Sequence, residues 1–119
     1  MIVRELKNCN AIVAGDGAVL RELFNPNKDD IDIGYSLAEA VIKVGTASKP
    51  HIMKTSEVYY IMEGNGEMHV NEEVENVSAG QAVYIPPNSK QYIKNTGNVD
   101  LKFMCIVDPA WKQEDEELV

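Results

Sequence analysis

The residues of this chain best suited to bind or activate a small molecule are His51 and Glu57, a histidine and a carboxylate in one apolar stretch. Imidazole exchanges a proton or binds a metal near neutral pH, and a carboxylate accepts hydrogen bonds or ligates a cation. If the backbone is extended here, Met53, Tyr59 and Ile61 lie on the same face as these two, because side chains alternate along a strand.

A second group of candidates lies further along the chain, where Gln91 and Ile93 share a face of a later strand. Buried polar groups need partners, so a histidine, a carboxylate and an amide that converge inside an apolar fold need water, one another or a ligand. The parity of the strands predicts Tyr59, Ile61 and Ile93 as ligand-contacting residues, and the Tyr59 hydroxyl suits a polar ligand.

Short strands must position these residues, because most of the sequence alternates with a period of two and is interrupted by Gly, Pro, Asn or Asp. An all-β fold follows, and a sandwich and a closed jelly-roll barrel are its two common forms. The predicted strands are 11–14, 18–24, 35–44, 57–62, 66–70, 74–77, 82–85, 91–94 and 101–107.

Two stretches have a more specific spacing. The first, residues 45–64, reads Gly45-x5-His51-x-Met53-x3-Glu57-x6-Gly64. The second, residues 80–95, reads Gly80-x5-Pro86-x-Asn88-x2-Gln91-x3-Asn95. Together they resemble the two signature motifs of the cupin superfamily, with departures where Met53, Asn88 and Gln91 replace a histidine, a glycine and a second histidine.

The resemblance implies a double-stranded β-helix, or jelly-roll barrel, in which His51, Met53, Glu57 and Gln91 occupy the metal-binding positions. A thioether and a carboxamide replace two imidazoles, so the resemblance implies at most one weakly held divalent ion, Mn, Fe, Ni or Zn. A hydrogen-bonded pair of His51 and Glu57 without metal is the alternative. Asn88 tolerates a left-handed backbone, and the turn is expected to survive its replacement of glycine.

Composition bounds the remaining possibilities. The chain has 119 residues, 45% of them hydrophobic, and a net charge of −8, which predicts one acidic domain spanning 1–119 and disfavours nucleic acid and anionic membranes as partners. In the acidic tail 109–119, the four acids at 114–117 contribute four negative charges, and they are expected to remain in water. No signal peptide or membrane span is recognisable, so the expected location is the cytoplasm.

Three further features of the sequence predict the environment of particular residues. Cys105 alternates with apolar residues and is expected to be a buried, inert thiol, whereas His69 is expected on the outer surface of a sheet. The last strand, 101–107, is apolar on both sides near its end. A homodimer would cover it, by contact between sheets or exchange of N-terminal strands.

Three functions remain open on this sequence. The leading hypothesis is a barrel that binds a small polar metabolite, such as a sugar or an organic acid, with a weakened or absent metal site. The second is a metal-dependent isomerase, epimerase or dioxygenase. The third is a dimeric interaction module with a vestigial cavity. Fold alone does not choose among them, and whether the chain is an enzyme, and with which catalytic residues, stays open.

Overall fold

The computed structural model describes all residues 1–119 and consists of two antiparallel sheets that face each other. In spatial order the six-stranded sheet contains β1 (Ala11–Val13), β2 (Val19–Phe24), β3 (Ser36–Ile42), β10 (Leu101–Asp108), β5 (Ser56–Glu63) and β8 (Ala82–Ile85). The five-stranded sheet contains β11 (Glu116–Leu118), β4 (His51–Met53), β9 (Lys90–Asn95), β6 (Asn65–Val70) and β7 (Glu73–Ser78). The predicted all-β jelly-roll architecture is confirmed.

Helix is confined to two short 3₁₀ turns, Leu6–Asn8 and Gln113–Asp115. Neither comes near the length of apolar helix that a membrane span requires.

The nine predicted strands are all present, but the structure contains two more, β4 and β11. Each is three residues long, too short for an alternating pattern to reveal. The stretch from His51 to Ile61 is also not one strand, because a bend at Lys54 and Thr55 passes the chain from one sheet to the other. His51, Met53 and Glu57 still point inward, since β4 and β5 each direct alternate residues between the sheets.

The core lies between the two sheets, where inward-facing side chains interdigitate. Ile61, Ile85 and Leu101 are fully buried, and the rings of Tyr59 and Phe103 pack with their centroids 4.4 Å apart. Each large apolar side chain buried in this way stabilises the fold by about 1.5–3 kcal/mol. The core therefore packs beside the polar residues that also face inward, such as His51 and Glu57.

The acidic tail departs from the expectation that its acids stay in water, because Glu116 is largely buried, with its side chain 13% exposed. The backbone explains the burial. The β11 strand pairs with β4, Lys54 N donates to Asp115 O at 2.9 Å, and Val119 N donates to Pro50 O at 3.1 Å. Alternation along β11 then turns Glu116 inward and leaves Glu117 exposed.

Two turns show which backbone conformations the motifs require. Asn88 has a φ of 63°, as its expected left-handed conformation demands, and its N–H donates to Met53 O at 2.7 Å. Gly64 has a φ of 90°, and a Cβ there would lie 2.8 Å from the backbone oxygen of Asp100 and 3.0 Å from the Cα of the fully buried Leu101. Gly80 has a similar φ of 91° but has open space around it.

This pair of glycines gives a matched test of the packing between strands. Both Gly64→Ala and Gly80→Ala force an alanine into a left-handed conformation, which costs about 1–2 kcal/mol. Gly64→Ala also drives a methyl group into the start of β10, so we expect it to lower the free energy of unfolding by about 1–3 kcal/mol more than Gly80→Ala. Urea denaturation followed by circular dichroism measures both. Equal losses would show that β10 moves aside freely.

Candidate functional site

A cavity of about 400 Å³ lies between the sheets, and its walls are mostly apolar. The side chains of Ala38, Ala40, Ile42, Phe103, Cys105 and Val107 form much of the wall. Polar side chains gather in one region of the lining, those of Asp16, His51, Glu57, Tyr59 and Glu116. This combination of an apolar enclosure with a few converging polar groups is typical of small-molecule sites.

The residues singled out from the sequence divide into two sets. His51, Met53, Glu57, Tyr59 and Ile93 line the cavity. Gln91 and Ile61 are buried, at 1% and 0% exposure, but are not among the lining residues. The structure thus places Gln91 one layer behind the cavity surface, where it supports a lining residue.

His51 begins β4 and is 2% exposed. Its Nδ1 lies 2.8 Å from Lys49 O. Because a carbonyl oxygen can only accept, Nδ1 carries the proton in this bond, and Nε2 of the neutral ring is an unprotonated acceptor. Metal-binding and proton-accepting histidines are commonly oriented by this kind of bond.

Glu57 lies in β5 with its carboxyl group buried and Oε1 without a hydrogen-bond partner. Burial raises the pKa of Glu57 to about 8, the nearby Gln91 amide partly offsets this, and the charges of Asp16 and Glu116 raise the pKa further. At neutral pH the group is therefore mostly a neutral carboxylic acid. As such it can donate a hydrogen bond to a molecule in the cavity.

Tyr59 and Gln91 bond to each other, with the Tyr59 hydroxyl donating to Gln91 Oε1 at 3.2 Å. Burial raises the pKa of Tyr59 well above its ordinary value, so the phenol remains protonated and keeps this bond. Gln91 Oε1 is the atom that a metal would need from this side chain. The bond from Tyr59 already occupies one of its lone pairs.

The four positions that correspond to the cupin metal ligands therefore do not fit a divalent ion well. They provide one imidazole from His51, a soft thioether from Met53, a largely protonated acid from Glu57 and a hydrogen-bonded amide oxygen from Gln91. First-row divalent ions prefer imidazole and ionised carboxylate. These four side chains are better suited to hydrogen bonding than to ligation of such an ion.

Sequence reasoning missed two residues beside His51, namely Asp16 and Glu116. Asp16 Oδ2 lies 3.7 Å from His51 Nδ1, and Glu116 Oε1 lies 3.9 Å from His51 Nε2. Asp16 belongs to the turn between β1 and β2, and Glu116 begins β11. Only the three-dimensional pairing of distant segments brings them to His51, and no motif or periodicity in the sequence signals it.

Asp16 is held by two hydrogen bonds. Its Oδ1 accepts from Ala18 N at 3.0 Å, and its backbone oxygen accepts from Lys49 N at 2.6 Å. The second bond ties the β1–β2 turn to the segment that leads into His51. One carboxylate oxygen of Asp16, Oδ2, is left to face the imidazole.

Glu116 has a raised pKa, chiefly because of burial and also because of the charge of Asp16, while His51 and the Trp111 side chain oppose the rise. Neither Glu116 nor Asp16 pairs with a lysine or an arginine. Two acids thus share a poorly solvated space with one imidazole. That arrangement is costly unless a cation or a proton compensates the charge.

The two other expectations from the sequence concern Cys105 and His69. Cys105 is buried in the cavity wall, and burial raises the pKa of its thiol well above the ordinary value, which keeps it unreactive. His69 stacks on Tyr92 with 4.1 Å between ring centroids and lies 2.7 Å from Glu67. It is outside the cavity lining, as expected for a residue on the outer face of its sheet.

The raised pKa of Glu57 predicts a pH-dependent stability of the metal-free protein. The unfolded chain releases this proton near pH 4.5, but the folded chain keeps it until about pH 8, so stability falls as pH rises between these values. The slope approaches about 1.4 kcal/mol per pH unit. Glu57→Gln removes the ionisable group. As pH rises, the free energy of unfolding of this variant should therefore fall less than that of the wild type.

Urea denaturation in the presence of a chelator, at roughly one-unit steps across this pH range, measures the effect. Glu117→Gln is the matched control, because Glu117 is exposed and should leave the wild-type profile unchanged. Parallel profiles for Glu57→Gln and the wild type would contradict a neutral, buried Glu57.

Comparison with known proteins agrees with this architecture. The model of the cupin domain family matches residues 38–107. An uncharacterized protein of Methanocaldococcus jannaschii is 38% identical over 120 residues, which cover 100% of this chain and 95% of the relative. L-ectoine synthase of Oceanobacillus iheyensis is 30% identical over 89 residues, 73% of this chain and 66% of that enzyme.

A solved structure of similar shape is that of ectoine synthase from P. lautus, with a TM-score of 0.79 and 23% identity, covering 100% of this chain and 90% of that one. At this level of identity the likeness concerns the fold. The family match covers more than half of the chain and includes both motifs and eight strands of the barrel, β3 to β10. The chain belongs to the cupin family.

Proposed function

We propose that this cupin barrel binds a small polar organic molecule in the cavity between its sheets. The observation that carries the proposal is the buried Oε1 of Glu57, which lacks a partner although it belongs to a residue that lines the cavity. Leaving a buried polar atom unpaired costs about 1–3 kcal/mol. A ligand group that bonds to Glu57 would recover that cost and so gain affinity.

The size of the cavity supports a ligand of metabolite size. A volume of about 400 Å³ is near the lower end of the usual range for small-molecule sites. Two of the similar proteins are ectoine synthases, whose name says that they make ectoine, itself a small molecule. A small ligand or substrate for this barrel is in keeping with both observations.

Charge narrows the ligand class in the metal-free protein. The acids that line the cavity are Asp16, Glu22, Glu57 and Glu116, and Lys28 is the one lysine or arginine among the lining residues. Lys28 is already engaged, with its Nζ 2.8 Å from Glu22 and 5.4 Å from the centre of the Trp111 ring. The cavity therefore has no unpaired lysine or arginine to bind the carboxylate of a ligand. A sugar-like polyol or an amine suits it better than an organic acid.

A second candidate is a metal-dependent enzyme, an isomerase, an epimerase or a dioxygenase. The observation that favours it is the group formed by Asp16, His51 and Glu116, whose ligand atoms lie within 4.8 Å of one another. A metal there could polarise a substrate held in the same cavity. This candidate depends on metal binding, whereas the binding function does not.

We also propose that the protein is a homodimer formed through the outer face of the six-stranded sheet. Register places Ile106 beside Val58 and Val58 beside Tyr84, while Met104 lies beside Tyr60 in the next row. Tyr84, Tyr60 and Ile106 are 65%, 48% and 38% exposed. The row of Met104 continues to Glu39 and Arg21, which have opposite charges, and the apolar and aromatic patch beside them suits a twofold contact.

Three probes of equal chain length test the ligand proposal, namely 1,4-butanediol, 1,4-diaminobutane and succinate, each added to chelator-treated protein. We expect the diol or the diamine to raise Tm, by about 4 °C at ten times its Kd, and succinate to leave it unchanged. Ala40→Leu fills the cavity and should abolish the response, whereas Ala79→Leu, at an exposed turn, should retain it. A response to succinate alone, or an unchanged response in Ala40→Leu, would refute the proposal.

The dimer proposal is tested by sedimentation equilibrium of Tyr60→Glu. A charge buried at the centre of the contact should weaken association more than about tenfold. Val74→Glu is the matched control, since Val74 is exposed on the other sheet and its replacement should leave association unchanged. A wild-type monomer, or equal association of both variants, would count against this interface.

A further inference from the structure

We propose that Asp16, His51 and Glu116 form a binding site for one divalent transition-metal ion, in place of the site that the four motif positions would provide. The site would join the turn between β1 and β2, the start of β4 and the start of β11. It shares only His51 with the motif. It does not depend on the proposed organic ligand, and it deepens the second candidate function by naming the residues and the class of ion on which that function rests.

The first support is the state of the imidazole. His51 is 2% exposed, its Nδ1 proton is bonded to Lys49 O at 2.8 Å, and its Nε2 has no hydrogen-bond donor. On that side Glu116 Oε1 lies 3.9 Å from Nε2. Two acceptors therefore face each other across a gap too long for a hydrogen bond, which is the arrangement expected where a cation lies between them.

The second support is the geometry of the three donors. One ligand atom from each residue lies within 4.8 Å of the others. A first-row ion with bonds of about 2.1 Å holds its donors about 3–4 Å apart, so the side chains need to close only slightly around it. His51 is fixed by its bond to Lys49 O, so the closure falls on the two acids. Glu116 Oε1 already faces Nε2, whereas Asp16 Oδ2 lies nearest the protonated Nδ1 and has to turn towards the Nε2 side.

The third support is charge. The side chains of Asp16 and Glu116 are 12% and 13% exposed, and neither has a lysine or an arginine beside it. A pair of buried carboxylates without a cation is costly, and a divalent ion offsets both charges. A protonated His51 would offset only one of them.

An ion pair within the group, with no metal, is the competing explanation. Its geometry is poor, because the distances from His51 to the two acids, 3.7 Å and 3.9 Å, exceed hydrogen-bonding range. The Nδ1 proton is moreover already given to Lys49 O. The imidazole favours a transition ion such as Mn²⁺ or Zn²⁺ over Mg²⁺ or Ca²⁺, which take oxygen ligands almost exclusively.

Isothermal titration of the chelator-treated full chain with MnCl₂, and separately with ZnCl₂, tests the site. We expect one ion per chain, and a loss of affinity of at least about tenfold in both Asp16→Asn and Glu116→Gln. Glu117→Gln is the matched control, one residue along the same strand but exposed, and its affinity should stay within about twofold of the wild type.

Variants of the motif positions separate the two possible sites. Met53→Leu and Glu57→Gln should each change the affinity less than about threefold, since neither supplies a ligand to the proposed site. The inference is overturned if the wild type binds neither ion, or if these two variants lose more affinity than Asp16→Asn and Glu116→Gln.

A measurement on the wild type keeps the test independent of how the variants fold. The chain has two histidines, His51 and His69, so nitrogen NMR of protein labelled in histidine resolves both rings. We expect Zn²⁺ to shift Nε2 of His51 and to leave His69 unchanged. A shift confined to His69, which already lies beside Glu67, would place the ion on the outer face and overturn the inference.

The metal-site proposal and the ligand proposal can be refuted independently of each other. Metal titrations contain no organic probe, and the four-carbon probes are used with a chelator. A cavity that responds to the diol but binds no ion overturns only the metal site. A chain that binds the ion at His51 but responds to none of the probes overturns only the proposed ligand function.

Discussion

The structure of the site depends on the closure of the barrel end by backbone hydrogen bonds between segments that are far apart in sequence. Asp16 O accepts from Lys49 N, and β11 adds the end of the chain to the edge of β4. Without these contacts His51 would lie at an open sheet edge in contact with water. With them, two carboxylates converge on a dry imidazole, and the chemistry of the cavity follows from that exclusion of water.

Exclusion of water also explains why Glu57 and Glu116 differ in character although both are buried glutamates. Glu57 lies deep in β5 against an amide and a phenol, and burial dominates its raised pKa. Burial raises the pKa of Glu116 as well, but there His51 and the Trp111 side chain favour the charged form and partly oppose the rise. Glu57 is therefore suited to donate a hydrogen bond, and Glu116 is suited to bind a cation. Met53 and Gln91 provide no imidazole that would draw a cation towards Glu57.

Much of the fold could be predicted from the sequence, because alternation and turn residues report directly on strands that bury one face. The positions of His51, Met53, Glu57 and Tyr59 in the cavity followed from parity, even though a bend divides the stretch into two strands. Asp16 and Glu116 could not be found in this way. Asp16 before a glycine indicates only a turn, and the run of four acids that includes Glu116 indicates only a solvated tail. Their role arises from tertiary pairing, which local patterns do not encode.

The C-terminal tail couples the docking of β11 to the charge state of the site around His51. Three residues of β11 make few contacts of their own, so the strand depends on its ladder with β4 and on the burial of Glu116 towards the cavity. Burying Glu116 opposes that docking as long as its charge lacks a partner, and a positive charge beside His51 favours it. Any cation that enters there must therefore tighten the closure of the cavity, because the free energy of binding is shared with the free energy of docking the strand. An ion bound at this end of the barrel would thereby help to shield the cavity from water.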